Sequence, residues 1–503
     1  RQVGHYWLRA PELAPDPAVS GTITATQNAI ESFASGVLSG EIHPPSHARF
    51  PHVLLVGIGG SGMSPLAEIL RAQGHAVSGS DAKSSDATAK LAAMGIKTYI
   101  GHDSKNVAHA RCLILSSAIR DTNPEVLEAR RLGLRAIHRG DLLDAVMAPF
   151  KHRIAISGSH GKTTTTAMVA GILQAAGFDP SALVGGKLRG LDSGARLGSG
   201  DTFVAEADES DRSFLKLHPT HCLITNVDRE HLDTYADLDD VRAAFSAFAA
   251  SVPAWGTAIL CADDPVTLSI ASHMGARALT YGFTPSAGVS GRTSMNADGF
   301  PTVTGHGPLG EFSFTLGVGG EMNALNALGA MALAQSLGIA PALATRSLQA
   351  FEGVARRLEW KGRRNGVDVW DDYGHHPTEI IATLKALRAR NAGRRLVTLF
   401  QPHRVTRTQS LWNEFTDAFV LSDELWLSNI YAAGEPAEAG VTAEKLVEAI
   451  AAKGQAARFA GNLDEAQSSV FKGLRAGDVF LTLGAGNVVE VGEAFLKEAG
   501  STR

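Results

Sequence analysis

Ser157-Gly-Ser-His-Gly-Lys-Thr-Thr-Thr-Thr166 places a lysine and a run of hydroxyls directly behind two glycines, the residue types that hold a polyphosphate. Backbone N–H groups of such a turn, with the N-terminus of the helix behind it, face phosphate oxygens. Lys162 would neutralise β- and γ-phosphates, and the Thr163 hydroxyl would ligate magnesium. The standard loop opens with a glycine where this chain has Ile156, so the loop is the shorter Gly158-x-x-Gly161-Lys162-Thr163. An ordinary strand-to-helix turn is the bland alternative, but Gly-Lys-Thr between an apolar strand and a helix favours nucleotide.

A second glycine turn, Gly57-Ile-Gly-Gly-Ser-Gly62, fits G-x-G-x-x-G, with Asp81 about 20 residues further on and able to take a ribose hydroxyl. Taken alone it points to NAD, yet the same geometry holds any diphosphate, including that of a UDP-sugar. Glu206-Ala-Asp-Glu-Ser-Asp211 could present carboxylates to a metal. A solvated acidic turn is the competing reading. Asn226-Val-Asp-Arg-Glu-His-Leu-Asp-Thr-Tyr235 offers His231, and a lone histidine there is more often structural.

These stretches need elements to position them, and both glycine turns sit between an apolar strand and a helix. From Pro51 strands are expected at His52–Val56, His75–Gly79, Thr98–Ile100, Cys112–Ser116 and Leu134–Ile137, with helices at Met63–Gln73 and Pro124–Leu132. A second unit opens at Arg153, with strands Ile154–Ser157, Thr202–Ala205 and His221–Thr225 and the helix Lys162–Ala176. The glycine-dotted stretch Gly288–Gly320 reads as antiparallel hairpins before a helix, Asn323–Leu337. A third unit, from about Arg357, has strands near Val367–Trp370, Leu396–Phe400, Leu425–Leu427 and Val479–Leu483. Alternation on this scale predicts parallel sheets with helices on their faces, in an α/β chain of three consecutive domains. Residues 1–50, rich in Pro, Ala and Ser, read as an N-terminal extension, partly disordered, with one short helix at Thr26–Leu38.

A chain of 503 residues with 44% hydrophobic residues can bury three cores. The net charge of −5 offers no basic stripe for nucleic acid and no polybasic membrane patch, so a phosphate-bearing substrate must be held by a few placed residues. Cys112, Cys222 and Cys261 fit neither a disulfide framework nor a zinc site. No apolar run approaches the ~20 residues of a membrane span, and no secretory signal is evident. A cytoplasmic soluble enzyme is expected.

The motifs in order, joined by Asn323-x-x-Asn326, Asp371-Asp-Tyr-Gly-His-His-Pro-Thr-Glu379 and Gln401-Pro-His-Arg-x-Thr-Arg407, resemble the Mur ligases from about Pro51 to Val489. The resemblance is closest to the member that adds L-alanine to UDP-N-acetylmuramate. It implies a Rossmann-like UDP-sugar domain at 51–148, a P-loop-like ATPase domain at 149–354 and a Rossmann-like C-terminal ligase domain at 355–503. It places Gly60, Ser61, Gly62 and Met63 at the UDP-sugar diphosphate, with Asp81 nearby. Gly158, Ser159, His160, Gly161, Lys162, Thr163 and Thr164 would hold ATP, with Asn326 at adenine and Arg357 and Asp372 reaching over from the third domain. Thr163, Glu206 and His231 would hold Mg2+. His375, His376, Arg404 and Arg407 would line the substrate carboxylate and incoming alanine, and Lys162, Glu206, His231 and Arg357 would carry the catalysis.

The implied reaction is ATP-dependent amide formation through an acyl phosphate, in a monomer or homodimer, with no nucleic acid or membrane partner. Met322 stands where the family usually has His, and Glu230 where Asp is usual before His231. Rival readings are a murein-peptide recycling ligase sharing the ATP machinery, an NAD-dependent oxidoreductase built on Gly57–Gly62, and a non-catalytic UDP-sugar sensor. The oxidoreductase leaves Gly-Lys-Thr unexplained.

Overall fold

The computed structural model describes residues 52–186, 193–231, 234–438 and 440–497. The extension at 1–50 and its expected helix at Thr26–Leu38 lie outside the described residues. Three sheets follow one another along the chain. In the first, β1 (Val53–Val56), β2 (Val77–Asp81), β3 (Lys97–Ile100), β4 (Cys112–Leu115) and β5 (Arg135–His138) run parallel in the order β3-β2-β1-β4-β5. β1 is buried at every residue, as a central strand covered on both faces requires. The second strand begins later than its expected start at His75, because the His75 N–H closes back on the Leu70 carbonyl at the preceding helix end.

The second sheet has ten strands, from β6 (His152–Ser157) through β7 (Ser181–Leu183), β8 (Ala195–Arg196), β9 (Thr202–Glu206), β10 (His221–Ile224), β11 (Thr257–Cys261), β12 (Ala278–Gly282), β13 (Val289–Met295) and β14 (Pro301–Gly307) to β15 (Gly310–Thr315). Their order is β15-β14-β13-β12-β11-β10-β6-β9-β7-β8. β13, β14 and β15 are the antiparallel hairpins expected from the glycine spacing. Helix Lys162–Ala175 covers this sheet beside helix Glu321–Ser336, and Met168, Val169, Ile172, Leu173, Leu328 and Met331 form one core with Ile154 and Ile156. Each such fully buried side chain stabilises the fold by about 1.5–3 kcal/mol relative to exposure, so the helix that starts at the phosphate loop is firmly seated.

The third sheet contains β16 (Glu359–Arg364), β17 (Val367–Asp372), β18 (Leu396–Phe400), β19 (Glu424–Ser428), β20 (Ala457–Gly461) and β21 (Val479–Leu483), ordered β16-β17-β21-β18-β19-β20. All neighbours are parallel except β16, an antiparallel edge that the sequence pattern does not reveal. Its residues alternate polar and apolar too weakly to read as a strand. Among the described residues no helix is long and apolar enough to cross a membrane. The three cysteines are buried and free.

Candidate active site

Ligands of parallel sheets sit beyond the carboxyl ends of the strands, and here the ends of β1, β6, β9 and β17 converge. β6 ends at Ser157, and the loop turns at Gly158 (φ 129°) and Gly161 (φ 85°) before the helix starts at Lys162. A Cβ at Gly158 would meet Thr225 Oγ1 at 2.1 Å, and one at Gly161 would meet Asn326 Oδ1 at 2.5 Å. Only glycine fits this backbone. The loop is held from the end of β10: the Ser159 N–H donates to the Asn226 carbonyl (3.0 Å) and the His160 N–H to Asn226 Oδ1 (2.9 Å). Asn226 Nδ2 returns a bond to the His160 carbonyl (3.0 Å). Asn326 therefore packs on the loop, and Thr225 and Asn226 fix its shape.

Lys162 Nζ lies 2.8 Å from Glu209 Oε1. Burial opposes the charge of Lys162, but Glu209, Glu206 and Asp208 outweigh it and hold the pKa above the usual lysine value. Thr163 Oγ1 donates to Glu206 Oε2 (3.0 Å), which also accepts the Gly185 N–H (2.8 Å). Burial pushes the Glu206 carboxyl up against the pull of Lys162. His231 Nε2 stands 3.5 Å from Glu209 Oε1 and 3.6 Å from Glu230 Oε2. Burial disfavours its charge, yet the two carboxylates raise its pKa. Glu209 Oε2 and Glu230 Oε1 are buried without hydrogen-bond partners. One ligand atom from each of Glu209, Glu230 and His231 lies within 4.8 Å of the others, within reach of a single cation, and carboxylate oxygens suit Mg2+.

From the third sheet, Asp372 at the end of β17 is buried, and its carboxylate accepts the Leu358 N–H (2.6 Å) and the Gly374 N–H (2.7 Å). Burial raises its pKa to about 6 against the opposing charge of Arg357. The Arg357 guanidinium lies over the Tyr373 ring, 4.9 Å from its centroid. His375 follows; burial lowers its pKa to about 4 despite Glu379.

A cavity of about 940 Å³ joins the three sheets, within the range of small-molecule sites. Gly60, Ser61, Gly62 and Met63 line it from the first domain; Ser159, Gly161, Lys162, Thr163, Glu206 and His231 from the second; Arg357 and His375 from the third. Nine expected residues do not line it. Gly158, His160, Thr164, Asn326 and Asp372 lie behind its wall, and Asp81 supports the first glycine turn from below, accepting the Gly59 N–H at 2.9 Å. His376 is buried. Arg404 pairs with Glu435 (2.5 Å), and Arg407 Nη1 stands 3.2 Å from His403 Nδ1. The His403 ring lies 5.8 Å from that of His375 and stacks on Tyr431, so the two arginines belong to a neighbouring patch.

Among the cavity residues that sequence reasoning missed are Glu209 and Arg139. Glu209 stands in the quoted acidic motif without a role of its own. Arg139, at the start of the helix Arg139–Met147 after β5, donates to Asp208 (2.8 Å) and Asp211 (2.9 Å) of the second domain. Its Nη1 would be 3.0 Å from a Cβ at Gly62, which puts the guanidinium over the first glycine turn. A helix starting at a strand's carboxyl end was the available signal.

Three family models match the chain in succession. Residues 52–151 match the Mur ligase family, catalytic domain; residues 156–334 the Mur ligase middle domain; and residues 356–486 the Mur ligase, glutamate ligase domain. The UDP-N-acetylmuramate–L-alanine ligase of Solibacter usitatus (strain Ellin6076) is 46% identical over 455 residues, covering 89% of this chain and 95% of that protein. That of Sorangium cellulosum (strain So ce56) is 47% identical over 451 residues, covering 88% and 94%. Among solved structures, UDP-N-acetylmuramate-alanine ligase MurC from Thermotoga maritima superposes with a TM-score of 0.78 at 28% identity, over 90% of this chain and all of that one.

Proposed function

The chain belongs to the Mur ligase family, and on that premise we propose that it joins L-alanine to UDP-N-acetylmuramate with cleavage of ATP to ADP and phosphate, a step of peptidoglycan precursor synthesis. The observation that supports this reading best is the single cavity in which the Gly60–Gly62 turn, the Lys162–Thr163 loop and the Arg357–His375 segment meet. The divisions 51–148, 149–354 and 355–503 would carry UDP-sugar, ATP and amino acid in turn. Identity of 46% and 47% with two ligases of this activity over most of the chain supports the choice of alanine.

In this reading the UDP-N-acetylmuramate carboxylate attacks the γ-phosphorus of ATP, forming an acyl phosphate as ADP leaves. The amino group of alanine then attacks the acyl carbon, losing a proton, and phosphate departs with the C–O bond electrons. A carboxylate is a poor electrophile, so activation is required, and two anions must first be brought together. Lys162 stabilises charge at the transferring phosphoryl group. Thr163, Glu206 and His231 would hold Mg2+, which supplies further neutralisation of phosphate charge. Arg357, carried on the third domain, would bring a second cation to the phosphates. The third domain excludes water that would otherwise hydrolyse the acyl phosphate.

The test is phosphate release from ATP with UDP-N-acetylmuramate and L-alanine, L-serine, glycine or a diaminopimelate-containing tripeptide. Release requiring both the UDP-sugar and L-alanine is expected. Release only with tripeptide and a free sugar-acid donor would replace this reading with a recycling ligase.

A further inference from the structure

The phosphate loop touches the third domain through one ring. His160 lies between two carboxylates: its Nε2 stands 3.2 Å from Asp228 Oδ2, in the second domain, and its Nδ1 3.3 Å from Glu379 Oε1, in the third. Glu379 sits in the first turn of helix Pro377–Arg390. From the same turn Thr378 Oγ1 donates to Asp228 Oδ2 at 2.8 Å, and the His376 ring lies 4.9 Å from that of His160. Glu379 is divided among three tasks. Its Oε2 accepts the N–H groups of His375 (2.9 Å) and His376 (3.3 Å), fixing the helix start, while Oε1 faces His160 and stands 3.9 Å from Arg357 Nη1. His375, fixed by that bond, lines the cavity.

The bridge is not needed to shape the loop, which Thr225 and Asn226 already hold from within the second domain. Nor is it needed to fold the third domain, whose core lies on the far side of the helix, at Ile380, Leu384 and Leu387. What it adds is a charge-assisted link between the loop and the turn carrying His375.

We propose that His160 is a positioning residue that couples the phosphate loop to seating of the third domain, with Asp228, Thr378 and Glu379 completing the bridge. The link seats the third domain on the loop and carries His375 to the cavity wall with it. Its consequence for turnover, exclusion of water from the activated substrate, rests on the ligase reading; the coupling itself does not.

The test is a distance measurement. The native cysteines are buried, so Ala243→Cys and Ala452→Cys, both exposed positions in the second and third domains, can carry spin labels. Electron–electron resonance on the full chain, with and without a non-hydrolysable ATP analogue and Mg2+, reads the seated and unseated populations. Thr378→Val and Glu379→Gln are each expected to lower the seated-to-unseated ratio by about tenfold, the effect of one lost charged hydrogen bond. In turnover Thr378→Val should raise KM for alanine and the share of phosphate released without alanine. A label distribution unchanged in both variants overturns the proposal. Absence of phosphate release by the unmutated protein would instead remove the ligase reading, and the distance measurement would still decide the coupling.

Discussion

Lys162 Nζ stands 2.8 Å from Glu209 Oε1, a carboxylate that is almost wholly buried. The lysine also donates to the carbonyls of Gly158 and Ser159. The ammonium is thus held by three protein oxygens at the start of helix Lys162–Ala175.

Replacing Lys162 by alanine removes the cation proposed to stand at the transferring phosphate and is expected to cost on the order of 10³-fold in rate. Steady-state phosphate release checks this, and turnover like that of the unmutated protein would end the assignment. The same change removes the shorter of the two ion pairs of buried Glu209 and leaves His231 at 3.5 Å, so the folded state should lose stability, read from the denaturant midpoint.

Glu206 receives the Thr163 hydroxyl and the Gly185 N–H with one oxygen. Glu206→Gln removes a charge from the proposed cation site, so the Mg2+ concentration for half-maximal rate should rise about tenfold or more. A chelator should abolish phosphate release, and added Mg2+ should restore it. An unchanged Mg2+ titration in the variant would exclude Glu206 as a ligand.

Gly161→Ala puts a side chain at positive φ and against Asn326. The strain alone costs about 1–3 kcal/mol. Calorimetric titration with an ATP analogue should show weakened or lost binding, while UDP-sugar binding stays near its normal affinity because the first glycine turn is untouched. Equal loss of both would mean that the variant perturbs more than the loop.

Acid should destabilise the protein below about pH 6.5 in part through His221. Burial, with nearby His152, lowers its pKa from 6.5 to about 4. Its folded form is neutral where the unfolded chain would be protonated, so its contribution is fully present above pH 6.5 and lost as pH falls towards 4. The size is on the order of 2–3 kcal/mol. His375, at about 4, and His403, at about 3, act in the same direction. Asp372, raised to about 6, acts oppositely, its contribution being lost as pH rises through that value. His221→Asn, remote from the cavity, should show a smaller loss of stability between pH 7 and 4.5 than the unmutated chain. An identical pH profile would contradict the assignment.

The sequence by itself determined the local chemistry. Gly158, Gly161, Lys162 and Thr163 are legible because a backbone with positive φ and a polyphosphate each demand particular residue types at fixed spacing. The strands β1, β18 and β21 are legible because full burial leaves nearly continuous apolar runs. Tertiary structure decided what had no spacing rule. Glu209 reaches Lys162 from a loop 47 residues away, Arg139 reaches Asp208 across 69 residues, and Glu379 approaches His160 from another sheet. It also decided that Arg404 and Arg407 stand beside His403 and Glu435, and that Asp81 props the first glycine turn. The physical reason is that an ion pair depends on distance through space, and that distance is set by how the three sheets pack.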